Sequence, residues 1–421
     1  MKREKKTIVR LGIVGLGWRG RGMMRDLQQM DDVEVAAVCE VYEDRLMESI
    51  EQAEKWKQGK RPAAYTDVRE MLEKEKLDGV YIATGWETHV RIAIMAMKAG
   101  AYAAVECGGA DSVHQCWELV RTFEETGMPC MYLENDCYKR HNMMMLRMIK
   151  EGVLGELIHA RGGYGHDLRD QIVFGHETRH YRLDHYMHRN GEMYPQHILG
   201  PFCKFLNINR GNRLMYLISM SSKARGLREY ICENPKAPQK LRDFEFAQGD
   251  IVNTLIKCAH GETILLNYDT TLPRPGSKDS SLHGTKGAFM EDGNETGNKY
   301  LHIHGESEDQ VWDDINDYYE RYEHPVWRTY QSSGTRGGHW GIDFLVLRAF
   351  VESIKNGTDT PLDTYDSATL LSITPLSEQS ASMGGTQVPI PDFTDGRWIN
   401  REAPLTTAYS LDVIPEEAPV F

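Results

Sequence analysis

The sequence predicts an α/β protein of two domains: a doubly wound parallel sheet in the first third, then an α+β domain built on a large open, mostly antiparallel sheet. Three observations carry this. The chain has 421 residues, enough for two cores at roughly 100 to 200 residues each. Up to residue 138, short apolar runs with little alternation take turns with helical patterns, as in parallel sheets buried on both faces. Beyond it, strand-like runs recur at Leu157–Gly163, Leu214–Met220, Val252–Lys257 and Glu262–Tyr268, as antiparallel strands do. Hydrophobic residues make up 41% and charged residues 26%, with glycine and proline scattered, so collagen, coiled coil and low-complexity tracts are excluded. The formal charge of -13 repels nucleic-acid phosphates and anionic lipid. There is no basic patch beyond a short head at residues 2–6, and no apolar run long enough for a signal peptide or a membrane span. The chain as given therefore reads as cytoplasmic, with neither nucleic acid nor membrane as partner. Eight cysteines without a C-x-x-C pair read as buried thiols, not as a disulfide or zinc framework.

The elements of the first domain follow in order. Ile8–Val14 is a buried strand that ends in Gly15-Leu16-Gly17-Trp18-Arg19-Gly20, a G-x-G-x-x-G turn. The helix predicted over Gly22–Gln29 would turn its free N–H groups toward a pyrophosphate. A second strand, Val33–Cys39, ends at Glu40, twenty residues beyond Gly20. An acidic side chain there suits the ribose hydroxyls of NAD and repels the 2′-phosphate of NADP. Strand, glycines, helix, strand and terminal glutamate in that order assign residues 1–138 to a dinucleotide-binding Rossmann domain with NAD as cofactor. Gly15, Gly17, Trp18, Arg19, Gly20, Glu40 and Arg45 are its expected first contacts. Further units follow: helix Val68–Lys76, strand Gly79–Ala83, helix Thr88–Lys98, strand Ala101–Val105, helix Val113–Thr126 and strand Cys130–Leu133.

Ligands in such sheets bind beyond the carboxyl ends of the strands, so the later loops carry the next signals. Thr84-Gly85-Trp86-Glu87-Thr88-His89, then Ala93, Ala96, Ala99-Gly100 and Val105-Glu106, resemble a run found in the Gfo/Idh/MocA oxidoreductases. Where most dehydrogenases of that superfamily continue E-K-P, with the lysine assisting proton transfer, this chain has Glu106-Cys107-Gly108. A thiol does not replace that cation. Downstream, Leu133-Glu134-Asn135-Asp136-Cys137-Tyr138, Gly163-Tyr164-Gly165-His166-Asp167-Leu168-Arg169, Tyr194-Pro195-Gln196-His197, His283-Gly284-Thr285-Lys286-Gly287, Gly338-His339-Trp340-Gly341-Ile342-Asp343 and Pro391-Asp392-Phe393-Thr394-Asp395-Gly396-Arg397-Trp398 resemble the NAD-dependent glycoside hydrolases of family 109. The best characterised members of that family are α-N-acetylgalactosaminidases, and the resemblance leaves the sugar open.

What the resemblance implies is a cycle at a small carbohydrate or glycoside. C3 is oxidised, C2 is deprotonated, the anomeric group is expelled, water adds and C3 is reduced again. His197 is the expected base for the 3-hydroxyl, since imidazole titrates near neutrality, and Tyr164 the expected base for C2 if a nearby cation lowers its pKa. Glu134, Tyr194, His166 and Arg169 are expected substrate contacts. Thr84, Trp86, His89, Glu106 and Asn135 are expected to frame the cofactor, and His339 the cofactor or the pocket. Residues 139–421 form the α+β substrate-binding and dimerisation domain, with helices at His339–Lys355 and Ser367–Met383 packing back toward the first. In the superfamily the open sheet often carries a dimer contact, so a homo-oligomer, dimer or higher, is expected. The methionine-rich segment His141–Lys150 reads as core.

Two departures bear on the substrate. The family run P-R-P-Y-S reads Pro273-Arg274-Pro275-Gly276-Ser277, so a tyrosine near the sugar is missing. The stretch Met290–His304 reads as a surface insertion. Competing readings are weaker. His176-Glu177-Thr178-Arg179-His180 is literally H-E-x-x-H, a zinc-hydrolase signature, but Gly175 precedes it, Arg179 and Arg182 crowd the would-be helix, and no third histidine follows in place. No metal site is assigned. A plain NAD-dependent sugar dehydrogenase is the nearer alternative, disfavoured by Cys107. A non-catalytic dinucleotide sensor is disfavoured by the density of His and Tyr in the second half.

Overall fold

Residues 3–56, 60–294, 296–403, 407–416, 418 and 419 are described by a computed structural model; Lys2 of the basic head lies outside them. β1 (Val9–Val14) runs into the glycine turn, and α1 (Trp18–Gln28) begins four residues before the expected start at Gly22. Gly20 and Gly22 weaken helix propensity there, but packing overrides it: Gly20 is where the helix closes onto the turn. β2 (Val33–Cys39), α2 (Glu43–Lys55), β3 (Ala63–Tyr65), α3 (Val68–Lys74), β4 (Gly79–Ile82), α4 (Trp86–Lys98), β5 (Tyr102–Val105), α5 (Val113–Thr126) and β6 (Cys130–Tyr132) follow. The six strands form one parallel sheet ordered β3-β2-β1-β4-β5-β6. Its order reverses between β1 and β4, the switch point beyond which ligands of doubly wound sheets bind. Every residue of β4 and β5 is buried, which is why their sequences do not alternate.

α6 (Arg140–Lys150) buries Met144, Met145, Leu146 and Met148, as its pattern predicts. β7 (Leu157–Gly165) leads into the short helices α7 (Arg169–Val173), α8 (Gly175–Thr178) and α9 (Arg182–His188), then α10 (Gln196–Phe205), β8 (Leu214–Ser221) and α11 (Gly226–Glu233). β9 (Ile251–Cys258), β10 (Thr263–Asp269), β11 (Ser281–Gly284), β12 (Gly287–Glu291), β13 (Lys299–Ile303), β14 (Asp313–Asp314), α12 (Tyr319–Tyr322) and, near the C-terminus, β15 (Val388–Pro389) complete this part. The strands form a nine-stranded sheet ordered β14-β13-β12-β11-β7-β10-β9-β8-β15, antiparallel except where β10 runs beside β7. One face is covered. Val252, Thr254, Ile256 and Cys258 of β9 are buried while Asn253 and Leu255 are exposed, and Ile198 of α10 lies over Gly162 of β7. Met290–His304 is no surface insertion. β12 and β13 pair over five residues each inside the sheet, with Phe289, Leu301 and Ile303 buried, so an alternating pattern there marks a half-buried hairpin.

The chain does not divide by a single cut after residue 138. One compact unit comprises Met1–Met143, His324–Thr369 and Glu402–Phe421, the other Met144–Glu323 and Leu370–Arg401. Of the returning stretches, α13 (Pro325–Ser333), α14 (Ile342–Asn356) and the start of α15 (Thr364–Ser382) belong to the first unit. α14 lies against β1 and α1, and a Cβ on Gly79 of β4 would meet Ile354 and Phe350. Asp32, before β2, receives Arg348 through both oxygens at 2.6 Å and Lys355 at 2.6 Å. Burial alone would raise its carboxyl, yet these hydrogen bonds bring it down to about 2. α14, one of the helices expected to pack back toward the first domain, is part of that unit, so the two units are not separated by one cut in the chain. No helix among the described residues is long and apolar enough to cross a membrane. No disulfide joins any of the eight cysteines; seven are buried and Cys232 is exposed.

Candidate active site

In the first unit the glycine turn is shaped by contacts that exclude side chains. Gly15 has φ +90°, and a Cβ there would lie 2.6 Å from the Ala83 carbonyl oxygen. Gly17 caps α1 without a side-chain bond, and a Cβ on it would meet only Arg45 Nη1, 3.9 Å away. The first N–H groups of the helix are thus approachable, which suits a pyrophosphate. At the end of β2, Glu40 Oε2 accepts from the Leu16 N–H at 2.8 Å and Oε1 from the Tyr42 N–H at 3.1 Å. Each oxygen keeps acceptor capacity for a ribose hydroxyl. The Arg45 guanidinium lies 5.1 Å from the Tyr42 ring centroid, and Trp18 is 78% exposed at the helix start. Approachable amides and a pinned carboxylate beyond β2 fit a dinucleotide.

Arg19 belongs to a second cluster of this unit. Its Nε lies 3.0 Å from Glu106 Oε1, which also accepts from the Tyr81 hydroxyl at 2.9 Å, and its Nη1 lies 2.7 Å from Asp343 Oδ2. Asp343 is the hub: the same Oδ2 contacts His339 Nδ1 at 2.7 Å, and Oδ1 accepts from Asn135 Nδ2 at 2.8 Å. Burial would raise its carboxyl, but His339 and Arg19 hold it well below the usual carboxylate range, and its hydrogen bond raises the His339 imidazole. The expected helix from His339 starts only at Ile342, because His339 and Trp340 have φ of +47° and +55°. Such left-handed backbone is costly for bulky residues; here the His339–Asp343 bond pins it.

Other predicted cofactor residues hold the framework. Trp86 is buried, donates from Nε1 to the Cys107 carbonyl at 3.1 Å and fills the space a Cβ on Gly108 would need. Thr84 Oγ1 lies 2.6 Å from Thr88 Oγ1, and the Thr84 carbonyl lies 3.0 Å from Nε2 of His89, whose pKa burial lowers. The Cys107 thiol donates to Glu134 Oε2 at 3.1 Å; burial, with Glu134 beside it, pushes its pKa well up. A neutral thiol thus stands where the superfamily resemblance expects a lysine. Glu134 is 0% exposed, and its Oε1 accepts from the Asp136 N–H at 3.0 Å.

The second unit gathers most of the predicted chemistry at the end of β7. Tyr164 lies opposite Tyr268 of β10, their rings stacked at 6.3 Å. The His166 ring is 4.5 Å from that of Tyr164, Tyr194 is 4.7 Å away and His197, in the first turn of α10, 5.7 Å. Tyr194 and His197 are 5.0 Å apart. Tyr164, His166, Tyr194 and His197 are half-buried, and Tyr268 is buried. Behind them the Tyr186 hydroxyl contacts that of Tyr268 and, at 2.5 Å, Thr270 Oγ1.

Two cations here escaped the sequence reading. The Arg182 guanidinium lies 5.3 Å from the Tyr194 ring and 5.7 Å from that of Tyr181. Burial works against its charge, but the tyrosines around it hold its pKa above the usual value. The Lys278 ammonium lies 4.4 Å from the Tyr164 ring centroid. Arg182 reads in sequence only as a charge crowding a false zinc motif, and Lys278 directly follows the run that lost its tyrosine. Together, two imidazoles, clustered phenols and two buried cations can hold, accept and return protons.

Arg169 stands apart from these rings: it pairs with Asp167 at 2.9 and 2.7 Å and lies 5.1 Å from the Tyr230 ring. The H-E-x-x-H run does not form the helix a zinc site needs. α8 is a single turn that ends where Arg179 turns left-handed, and His176 is engaged by Asp184 and Lys240, each at 2.9 Å.

Comparison with known proteins accords with both halves. Residues 9–133 match the oxidoreductase family with an NAD-binding Rossmann fold, and residues 138–400 match the C-terminal domain of glycosyl hydrolase 109. The chain is 37% identical to an α-N-acetylgalactosaminidase of Tannerella forsythia, covering 94% of this chain and 88% of that protein. It is 38% identical to a glycosyl hydrolase family 109 protein of Stenotrophomonas maltophilia, covering 94% and 91%. Among solved structures, levoglucosan dehydrogenase in complex with NADH and levoglucosan shares the fold, with a TM-score of 0.71 at 16% identity over 91% of this chain and 100% of that one. The chain thus belongs to glycosyl hydrolase family 109, an NAD-dependent glycosidase carried on an oxidoreductase fold.

Proposed function

We propose that the enzyme cleaves an α-N-acetylgalactosaminide or a closely related glycoside by oxidation at C3 and elimination across C1 and C2. The observation that carries this is the pair of proton-transfer groups Tyr164 and His197, with rings 5.7 Å apart. A dehydrogenase needs one base, whereas elimination needs a second for C2. The neutral thiol of Cys107 also argues against the superfamily's lysine-assisted dehydrogenase chemistry. Bound NAD supplies a reversible hydride acceptor for C3, held by the glycine turn and Glu40. His197 takes the proton of the 3-hydroxyl as C3 is oxidised. Tyr164 removes the C2 proton that the ketone acidifies; its electron pair forms the C1–C2 double bond as the C1–O bond breaks and the aglycone leaves. Water then adds its hydroxyl to C1 while C2 regains a proton, and C3 is reduced again. Tyr194, His166 and Glu134 are assigned to the sugar hydroxyls. Arg169, locked to Asp167, is the weakest of the substrate assignments.

Hydrolysis in deuterium oxide tests the scheme. Deuterium should appear at C2 of the product, because the proton returned there comes from solvent, and thioglycosides should also be cut, since expulsion needs little protonation of the leaving atom. Direct displacement at C1 leaves C2 untouched, so cleavage without deuterium at C2 would rule out this scheme. Net NADH accumulation from free sugar would instead mark a dehydrogenase.

We also infer a homo-oligomer in a reducing, cytoplasmic compartment. The uncovered sheet face carries Ile218, Leu255 and Leu265 in one cross-strand row, with Met220 64% exposed beside it. That apolar strip suits a second copy of the chain, and eight cysteines without a disulfide suit reducing surroundings. Light scattering should return at least twice the chain mass; a monomer mass at micromolar concentration would refute the first inference.

A further inference from the structure

The turn after β10 carries a cation that the scheme above leaves unused. Ser277 and Lys278 run alongside the end of β7. The Gly165 N–H donates to the Ser277 carbonyl at 3.1 Å, the Ser277 N–H donates back at 2.9 Å, and the Gly163 N–H donates to the Lys278 carbonyl at 2.6 Å. These bonds flank Tyr164 on both sides in the chain, so the backbone itself fixes Lys278 against it. The Lys278 ammonium lies 4.4 Å from the Tyr164 ring centroid, and the residue is only 5% exposed. Burying an ammonium is costly unless its surroundings favour the charge, and an anionic phenolate beside it would favour it. Also around Tyr164 are His166, directly after its strand, Tyr268 from β10, Tyr194 just before α10, His197 in its first turn, and Arg182 from α9. Arg182 adds positive charge, but its guanidinium lies over Tyr194 and Tyr181.

We propose that Lys278 is a positioning residue whose charge holds Tyr164 in the phenolate form that takes the C2 proton. This rests on the assignment of Tyr164 as the C2 base. The proton passes from C2 to the Tyr164 oxygen and turns phenolate into phenol, while Lys278 keeps its protons throughout. A positive charge this close lowers the pKa of an acidic group by roughly 1–3 units, from about 10 for an ordinary tyrosine.

The test uses the NAD-loaded enzyme with 4-nitrophenyl N-acetyl-α-D-galactosaminide. Lys278→Met, close in volume but uncharged, should move the rising limb of the kcat/KM profile about 1–2 pH units higher. It should cost about 10- to 100-fold in rate at neutral pH and regain most of it in alkali; Lys278→Arg should return the limb toward its original position. An unmoved limb in Lys278→Met, together with loss of C2 deuterium incorporation in Tyr164→Phe, overturns the role of Lys278 and leaves Tyr164 as the base. Incorporation that survives in Tyr164→Phe overturns both. Should Lys278→Met fail to fold, ultraviolet difference titration of the wild type against Tyr164→Phe decides: a phenol titrating about 1–2 units below 10 supports the proposal, and one titrating at or above 10 refutes it.

Discussion

His197→Ala should lower kcat by about 100-fold or more, the usual scale for losing a positioned general base, while the purified protein keeps its NAD. The two outcomes are separable because the residues assigned to the cofactor, from Gly15 through Glu40 to Asn135, belong to the first unit, whereas His197 belongs to the second. The change is also benign for the fold. His197 sits in the first turn of α10, where alanine is the better helix former, and it is half-buried, so no large cavity opens. Its ring neighbours, Tyr164 and Tyr194, stay packed on each other at 4.7 Å. If the imidazole acts only as the proton leaves the 3-hydroxyl, kcat and kcat/KM should fall together; a rise in KM alone would mean a binding contact. Deuterium exchange at C2 should fall with turnover, because C2 becomes acidic only after C3 is oxidised. Near-normal turnover of the variant would remove His197 from the mechanism.

How much of this was legible in the sequence depends on how far apart the cooperating residues lie. The glycine turn, Glu40 and the strands around them are local patterns, and the structure places Val33–Cys39 and Val113–Thr126 with the predicted bounds. Tyr164 and His197 were legible as members of motifs, each with its type and context intact. Asp343 was not singled out, because its meaning lies in partners far along the chain: Arg19, Asn135 and His339 converge on one carboxylate. Lys278 and Arg182 share that limit. A lone cation in a polar stretch reads as a solvated surface charge until the fold lays it on an aromatic ring. The return of α14 toward the first domain was read from the family resemblance, not from its own pattern: eleven of its fifteen residues are buried, which signals burial without naming the partner. Where sequence expectation and structure part at α1, local glycine chemistry argued against a helix and the needs of the turn won.

Those needs make Gly17 and Gly20 an informative pair, because one added methyl at each should fail for a different reason. On Gly20, a Cβ would lie 1.9 Å from the Gly15 carbonyl oxygen and 3.0 Å from its carbon, backbone atoms that cannot step aside. Gly20→Ala should therefore damage the turn itself, lowering the melting temperature and emptying the cofactor site together. On Gly17 the protein raises no objection: φ is -65° and ψ -174°, open to alanine, and the nearest atom is Arg45 Nη1 at 3.9 Å. Gly17→Ala should melt close to the wild type, within the roughly 1 kcal/mol by which alanine is a poorer helix cap than glycine. What it obstructs is the approach to the first N–H groups of α1. Losing one or two charge-assisted hydrogen bonds worth about 1.5–3 kcal/mol each should weaken NAD at least about 10-fold. The variant should then purify without nucleotide, show almost no glycosidase activity alone and recover near-normal kcat with millimolar NAD, because the cofactor is regenerated in every cycle and activity follows occupancy. NADP should not substitute, since Glu40 meets its 2′-phosphate with a negative charge. Gly17→Ala that retained NAD at wild-type stoichiometry would move the pyrophosphate away from this turn, and the assignments of Gly15, Trp18 and Glu40 to the cofactor would have to move with it.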